Sequence, residues 1–167
     1  MKAFVITLEG NEYSEKKADR CIASGAKFGV EVDKYYGVNK KAARAVMRNL
    51  NLEWTWANNN QSPAVCPITG LHQRPYYNAN LDAKIGCAMS HYLLWGCCVD
   101  RDEPILILEH DAVFIRELPE FEFKGICQIN DPKGAGRRGR FLRETMIKNN
   151  KPGVNPKTLT DRDWETK

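Results

Sequence analysis

Ile105-Leu106-Ile107-Leu108 is followed at once by Glu109-His110-Asp111, and apolar residues resume in Ala112-Val113-Phe114. Two carboxylates at the end of a run that asks to be buried are out of place unless something uses them. In open α/β sheets, ligands bind beyond the carboxyl ends of the strands. Residues i and i+2 of a strand point to the same side. Glu109 and Asp111 are therefore expected to face one ligand, with His110 turned away. Paired carboxylates suit a hard divalent cation, Mg2+ or Mn2+, which prefers oxygen ligands and often bridges to phosphates. The plain alternative is an exposed acidic turn, and the fragment alone leaves both readings open. His110 alone reads as a surface or hydrogen-bonded histidine. With three histidines in the chain, there is no His/Asp set for a metal hydrolase.

Six cysteines stand at 21, 66, 87, 97, 98 and 127. Two are adjacent, no spacing repeats, and no export signal precedes them, so reduced and mostly buried thiols are expected. No C-x-x-C pair marks a zinc site. Cys66 and His72 are two isolated ligands, short of a structural metal set.

The elements that must position the acidic pair follow an α/β order. Residues 2–8, KAFVITL, read as a buried strand. A helix is expected to start at Ser14 and to end at Gly25 or Gly29. Residues 30–38 read as a second strand, completing a strand–helix–strand unit of a parallel sheet. Residues 40–52 form a plausible helix. Residues 53–80, with three prolines and an Asn run, read as a long functional-type loop with at most short strands. Residues 81–102 read as a helix whose apolar face carries Ile85, Ala88, Met89, Tyr92, Trp95, Gly96 and Val99, which makes Trp95 a core residue. Pro104 stops it, and the ILIL run has the continuous apolar character of an interior parallel strand. Residues 121–130 are a further strand candidate.

Length and composition fit one soluble domain: 167 residues, 43% hydrophobic and 28% charged, with a formal charge of +4. Part of the basic excess lies late, in Lys133, Arg137, Arg138, Arg140 and Arg143. Such a run fits a solvated tail or a polyanion contact. No stacking platform or binding motif accompanies it, so no nucleic-acid partner is expected. The opening MKAFVITLEG is too short and too soon acidic for a leader. No apolar run reaches the roughly 18 residues of a membrane span. The expected location is cytoplasmic, with peripheral membrane contact left open. Residues 1–131 are expected to form the domain, with 132–167 a basic Pro/Gly-rich tail.

Residues 84–114, KIGCAMSHYLLWGCCVDRDEPILILEHDAVF, resemble the signature of glycosyltransferase family 25, which is associated with lipopolysaccharide and lipooligosaccharide biosynthesis. The pattern is Gly86-Cys87, Ser90-His91 and Trp95 on a helix, then an apolar strand ending in Glu109-His110-Asp111. FVITLEGNEYSEKKADR and KYYGVN are similar to the family's opening more weakly, so the resemblance spans roughly 3–131. It implies a GT-A-like fold, a mostly parallel nucleotide-binding sheet with flanking helices. It also implies transfer of a hexose from a UDP-sugar to a saccharide or lipooligosaccharide acceptor, usually with inversion. By carry-over, Asp111 is the metal ligand, and Glu109 its partner facing the ribose or a metal-bound water. Val5, Ile6, Thr7 and Leu8 would border the uracil, and Ser90 and His91 would sit beside the donor pocket. His91 as a packing histidine bonded to a neighbouring backbone is the alternative.

Several residues depart from the family's pattern. His110 replaces an acid, Lys84 stands where an acid is common, and Lys16 and Lys17 stand where arginine is usual. Lys84 could meet a phosphate or lie on the surface. Little follows Asn130 beyond the tail, and no residue can be assigned as the base that deprotonates the acceptor. A non-catalytic nucleotide-sugar or glycan-binding domain, retaining the donor half of the fold, is the second reading.

Overall fold

A computed structural model describes residues 1–55, 64–65, 72–73, 80–118, 120, 125, 127 and 129. The chain's contacts divide it into Met1–Glu117 and Leu118–Lys167. Every helix and strand described below belongs to the first unit.

The order is β1 (Lys2–Thr7), α1 (Glu12–Ala26), β2 (Val32–Tyr36), α2 (Ala43–Asn49), β3 (Ala64–Val65), β4 (His72–Gln73), α3 (Leu81–Arg101) and β5 (Ile105–Glu109). β1 is the centre of a three-stranded sheet ordered β2-β1-β5. Both pairings are parallel: Ile6 lies opposite Tyr35 on one side and Glu109 on the other. β3 and β4 pair antiparallel as a separate two-residue ribbon. This is the expected α/β class, with the all-parallel sheet and flanking helices of a GT-A-like fold. The strand expected over 121–130 falls largely outside the described residues, as do the late basic cluster and Cys66.

β1 is central because its side chains can be buried on both faces. Ala3, Val5, Ile6 and Thr7 are all buried, Val5 completely. α1 supplies Ala18, Cys21, Ser24 and Gly25 to the interior. Gly25 is needed for that approach, since a Cβ there would stand 3.0 Å from the Val30 carbonyl and 3.1 Å from Val32. A second apolar cluster joins Ala43 of α2 to Ile85 and Met89 of α3, with Val46, Met47 and Leu50 packed around it.

Three local expectations are corrected. α1 begins earlier than Ser14: Asn11 is the cap, its Oδ1 accepting the Ser14 N–H at 3.0 Å. Glu12 and Glu15 then fall in the first turn, where the helix dipole favours acids. Trp95 is not core. It is 46% exposed, and Tyr92 and Val99 are exposed with it. The buried stripe of α3 is Ile85, Gly86, Met89, Ser90 and Leu94, rotated by about a third of a turn from the stripe of large apolar residues. Small residues chose the face, because Gly86 and Ser90 let the helix close onto the chain after β2. Finally, the described cysteines are free but not mostly buried. Cys21 is enclosed, Cys97, Cys98 and Cys127 are intermediate, and Cys87 is exposed.

Candidate active site at the strand ends

β5 ends at Glu109, and His110 and Asp111 form a turn closed by the Ala112 N–H on the Glu109 carbonyl at 2.9 Å. The strand alternation expected to align Glu109 with Asp111 therefore stops at Glu109, two residues short of Asp111. Glu109 turns towards α3. There His91 Nε2 lies 2.9 Å from Glu109 Oε1, and the Cys87 thiol donates to the same oxygen at 3.6 Å. Cys87 and His91 are one helical turn apart, so α3 presents both on one face. Among the described residues, Cys87, His91 and Glu109 are a group of His, Cys and acidic residues whose ligating atoms all lie within 4.8 Å of one another.

Electrostatics follow from those contacts. Hydrogen bonds to Cys87 and then to Glu109 outweigh burial and push the His91 imidazole up to about 9. The hydrogen bond from His91 holds the Glu109 carboxyl below its usual range, against its own desolvation. At neutral pH the pair is imidazolium and carboxylate, with the imidazolium donating. The alternative sequence reading of His91, bonded to a backbone, is replaced by a side-chain ion pair.

α3 is held over the strand ends by a tight seam. Ser90 is buried, accepts the Val38 N–H at 2.8 Å and donates to the Gly86 carbonyl at 2.8 Å. A Cβ at Gly37 would meet Ser90 Oγ at 2.7 Å and Ile6 Cγ2 at 2.8 Å, and one at Gly86 would strike the Val38 carbonyl oxygen. Ser90 is thus a structural clamp that fixes the angle from which Cys87 and His91 reach Glu109. Lys84 lies a turn before Cys87 at intermediate exposure.

The other wall is the β1–α1 connection. Ser14 is buried, its hydroxyl 3.0 Å from Thr7 Oγ1 and accepting the Leu8 N–H at 3.0 Å. The Gly10 N–H is taken by Glu15 Oε1 at 2.9 Å. These amides are occupied by the chain's own side chains. Of Val5, Ile6, Thr7 and Leu8, the first three are buried and Leu8 keeps partial exposure. Tyr13 meets the His110 ring edge-on, centroids 6.2 Å apart, and Lys17 lies over Tyr13. His110 is thereby turned to α1 while Glu109 is turned to α3. Asp111 is exposed, with no hydrogen bond or ion pair among the described residues. Its charge is felt by buried Cys21, whose thiol is pushed up by desolvation first and Asp111 second.

Sequence reasoning placed Glu109, Ser90 and His91 near one another through the family pattern. It missed Cys87 as a partner of Glu109, although the Cys87–His91 spacing of four within a helix was a readable sign.

A parallel sheet with polar groups gathered at its carboxyl edge has its candidate ligand site where open α/β sheets place theirs. The model of glycosyltransferase family 25, described as an LPS biosynthesis protein, matches residues 36–163. That is well over half the sequence, and the chain belongs to glycosyltransferase family 25. The match runs through most of the residues expected to be a tail, so the family's pattern continues beyond Asn130. Comparison with curated proteins and with solved structures gave no match. Family membership makes the chain a glycosyltransferase acting between a sugar donor and a glycan acceptor. Among the described residues, no helix is long and apolar enough to cross a membrane.

Proposed function

We propose that the chain transfers a hexose from a UDP-sugar to a saccharide acceptor of a lipopolysaccharide or lipooligosaccharide, with inversion, in the cytoplasm. The observation that carries this reading is the position of Glu109, at the carboxyl end of β5 and opposite Ile6 of the central strand, in a chain of this family. A donor diphosphate lying across the strand ends would meet Glu109 and the exposed Asp111.

Mn2+ or Mg2+ fits the oxygen donors present. Asp111 is exposed and unengaged among the described residues, and Glu109 commits Oε1 to His91 and Cys87, leaving Oε2 for a second partner. A cation held there would neutralise diphosphate oxygens and ease departure of UDP. The chain's own contribution is orientation. The Ser90 clamp fixes α3, His91 fixes the Glu109 carboxylate, and the Tyr13–His110 contact fixes the turn that carries Asp111.

Calorimetric titration of UDP, with and without Mn2+, against the chain and Asp111→Ala tests the assignment. Metal-dependent binding that weakens at least about tenfold in the variant is expected, since a carboxylate ligand to a hard cation is lost. UDP-galactose and UDP-glucose turnover is the second measurement. No binding, or equal binding by Asp111→Ala, would overturn the donor-site assignment. Binding without turnover on any acceptor or water would leave a donor-binding domain.

A further inference from the structure

We propose that Cys87, His91 and Glu109 form a site for a borderline-soft divalent metal of the Zn2+ or Co2+ type, distinct in selectivity from the oxygen-ligated cation proposed for the donor. The inference goes beyond the transferase reading and does not depend on it. Zinc is bound by Cys sulfur, His nitrogen and carboxylate oxygen, and three protein ligands leave a fourth position open. Cys87, His91 and Glu109 provide one of each, with all ligating atoms within 4.8 Å of one another.

Two of the three ligand–ligand edges are close to what the metal requires, and the third, Cys87 Sγ to His91 Nε2, lies within 4.8 Å. Zinc–ligand lengths of about 2.3 Å to sulfur and 2.0–2.2 Å to nitrogen or oxygen set tetrahedral edges of about 3.4–3.6 Å. The Cys87 Sγ to Glu109 Oε1 separation is already 3.6 Å. The His91 Nε2 to Glu109 Oε1 separation is 2.9 Å, so that edge opens by about half an ångström when a metal replaces the shared proton. Glu109 is half exposed and His91 is 28% exposed, so both side chains have room for that opening. Two ligands come from one turn of a 21-residue helix, which holds their spacing rigidly. The third comes from the end of β5, and the exposed Cys87 gives a path in.

Selectivity follows from the sulfur. A thiolate with an imidazole favours Zn2+ and its neighbours over Mg2+ and Mn2+, which prefer oxygen alone. Thiolate and carboxylate together also balance the charge of a divalent ion. Each ligand must bind without its proton, so metal uptake displaces protons from Cys87 and His91.

The test uses the reduced, metal-free full chain and Co2+ as a coloured stand-in for Zn2+. Stoichiometric Co2+ should give the sulfur-to-cobalt charge-transfer band of a thiolate complex together with tetrahedral visible bands, and equimolar Zn2+ should bleach both. Cys87→Ser should abolish the charge-transfer band, and His91→Gln should weaken Zn2+ binding at least about 100-fold. Urea midpoints of both variants, measured without metal, establish that they are folded. Mn2+-dependent UDP binding by Cys87→Ser is the companion measurement and reads the donor site separately. No charge-transfer band, or a band that survives Cys87→Ser, overturns the proposal whatever the UDP titration shows.

Discussion

Replacing His91 by Gln should flatten a pH dependence of stability that the wild-type chain shows between pH 6.5 and about 9. The imidazole is raised from 6.5 to about 9 in the folded chain. A proton bound more tightly in the folded state stabilises it fully below the unfolded value and ceases to do so as pH rises through the folded one. The ceiling is about 3 kcal/mol, at roughly 1.4 kcal/mol per pH unit between the two states. Two features lower it. Cys87 donates to Glu109 Oε1, so its bond does not count in full for His91, and Glu109 is half exposed, so solvent screens its charge. About 1 kcal/mol is the resulting expectation, or roughly 2–4 °C in midpoint for a chain of this size. The lowered Glu109 carboxyl is the same bond seen from its other end. It adds a loss of stability only on acidification, as the carboxylate is protonated. Urea unfolding at pH 6, 7.5 and 9.5 measures the slope, and the His91 ring-proton resonance measures the titration directly. The reasoning is refuted if His91 titrates near 6.5, or if His91→Gln keeps the wild-type slope between pH 6 and 9.5.

Gly86→Ala should destabilise the chain by about 2 kcal/mol or more, because the new methyl meets the Val38 carbonyl and overpacking a rigid seam typically costs 1–3 kcal/mol; thermal unfolding reads it. Ser90→Ala should cost about 1–2 kcal/mol by leaving the half-buried Val38 N–H without its acceptor, measured by urea midpoint. Trp95→Ala should cost well under the 3–5 kcal/mol of a buried tryptophan, since the ring is 46% exposed; a loss above about 3 kcal/mol would show that it is covered in solution. Asp111→Ala should leave the unfolding midpoint within about 0.5 kcal/mol of wild type, as expected for an exposed side chain without a bonded partner.

Residues with one role could be read from sequence, and residues with two could not. β1 is a continuous apolar run and is paired on both sides, as such a run requires. β5 carries the same kind of run and was expected to be interior, but among the described strands it stands at the sheet's edge with only Leu106 buried. α3 was bounded closely, 81–102 expected and Leu81–Arg101 found, because the apolar periodicity runs up to the stop at Pro104. Its buried face was misread because the large side chains, Tyr92, Trp95 and Val99, lie on one side while the close approach is made by Gly86 and Ser90 on another. Hydrophobic periodicity weighs size and is blind to a contact that depends on smallness. Glu109 was placed at a strand end correctly, but its partner was sought in Asp111, two residues on. The turn at 110–111 breaks the alternation that the argument needed. Its bonded partners are instead Cys87 and His91, on a helix whose orientation over the sheet is set by packing.

Of the described strands, the central one comes first in the chain. β1 pairs with β2 after about thirty residues of chain, yet its other partner, β5, begins at Ile105. Local pairings form before distant ones because long loops must close first. During synthesis, β1, α1 and β2 can therefore associate as soon as they leave the ribosome, with one side of β1 still unpaired. Of the described strand residues Glu109 comes last in the chain, and among the described residues it is the group that bonds His91 and Cys87 to the sheet. A nascent chain stalled before residue 109 would carry the β1–β2 pair without the Cys87–His91–Glu109 cluster. Hydrogen exchange pulsed during refolding would show this order as protection of β1–β2 amides preceding that of β5.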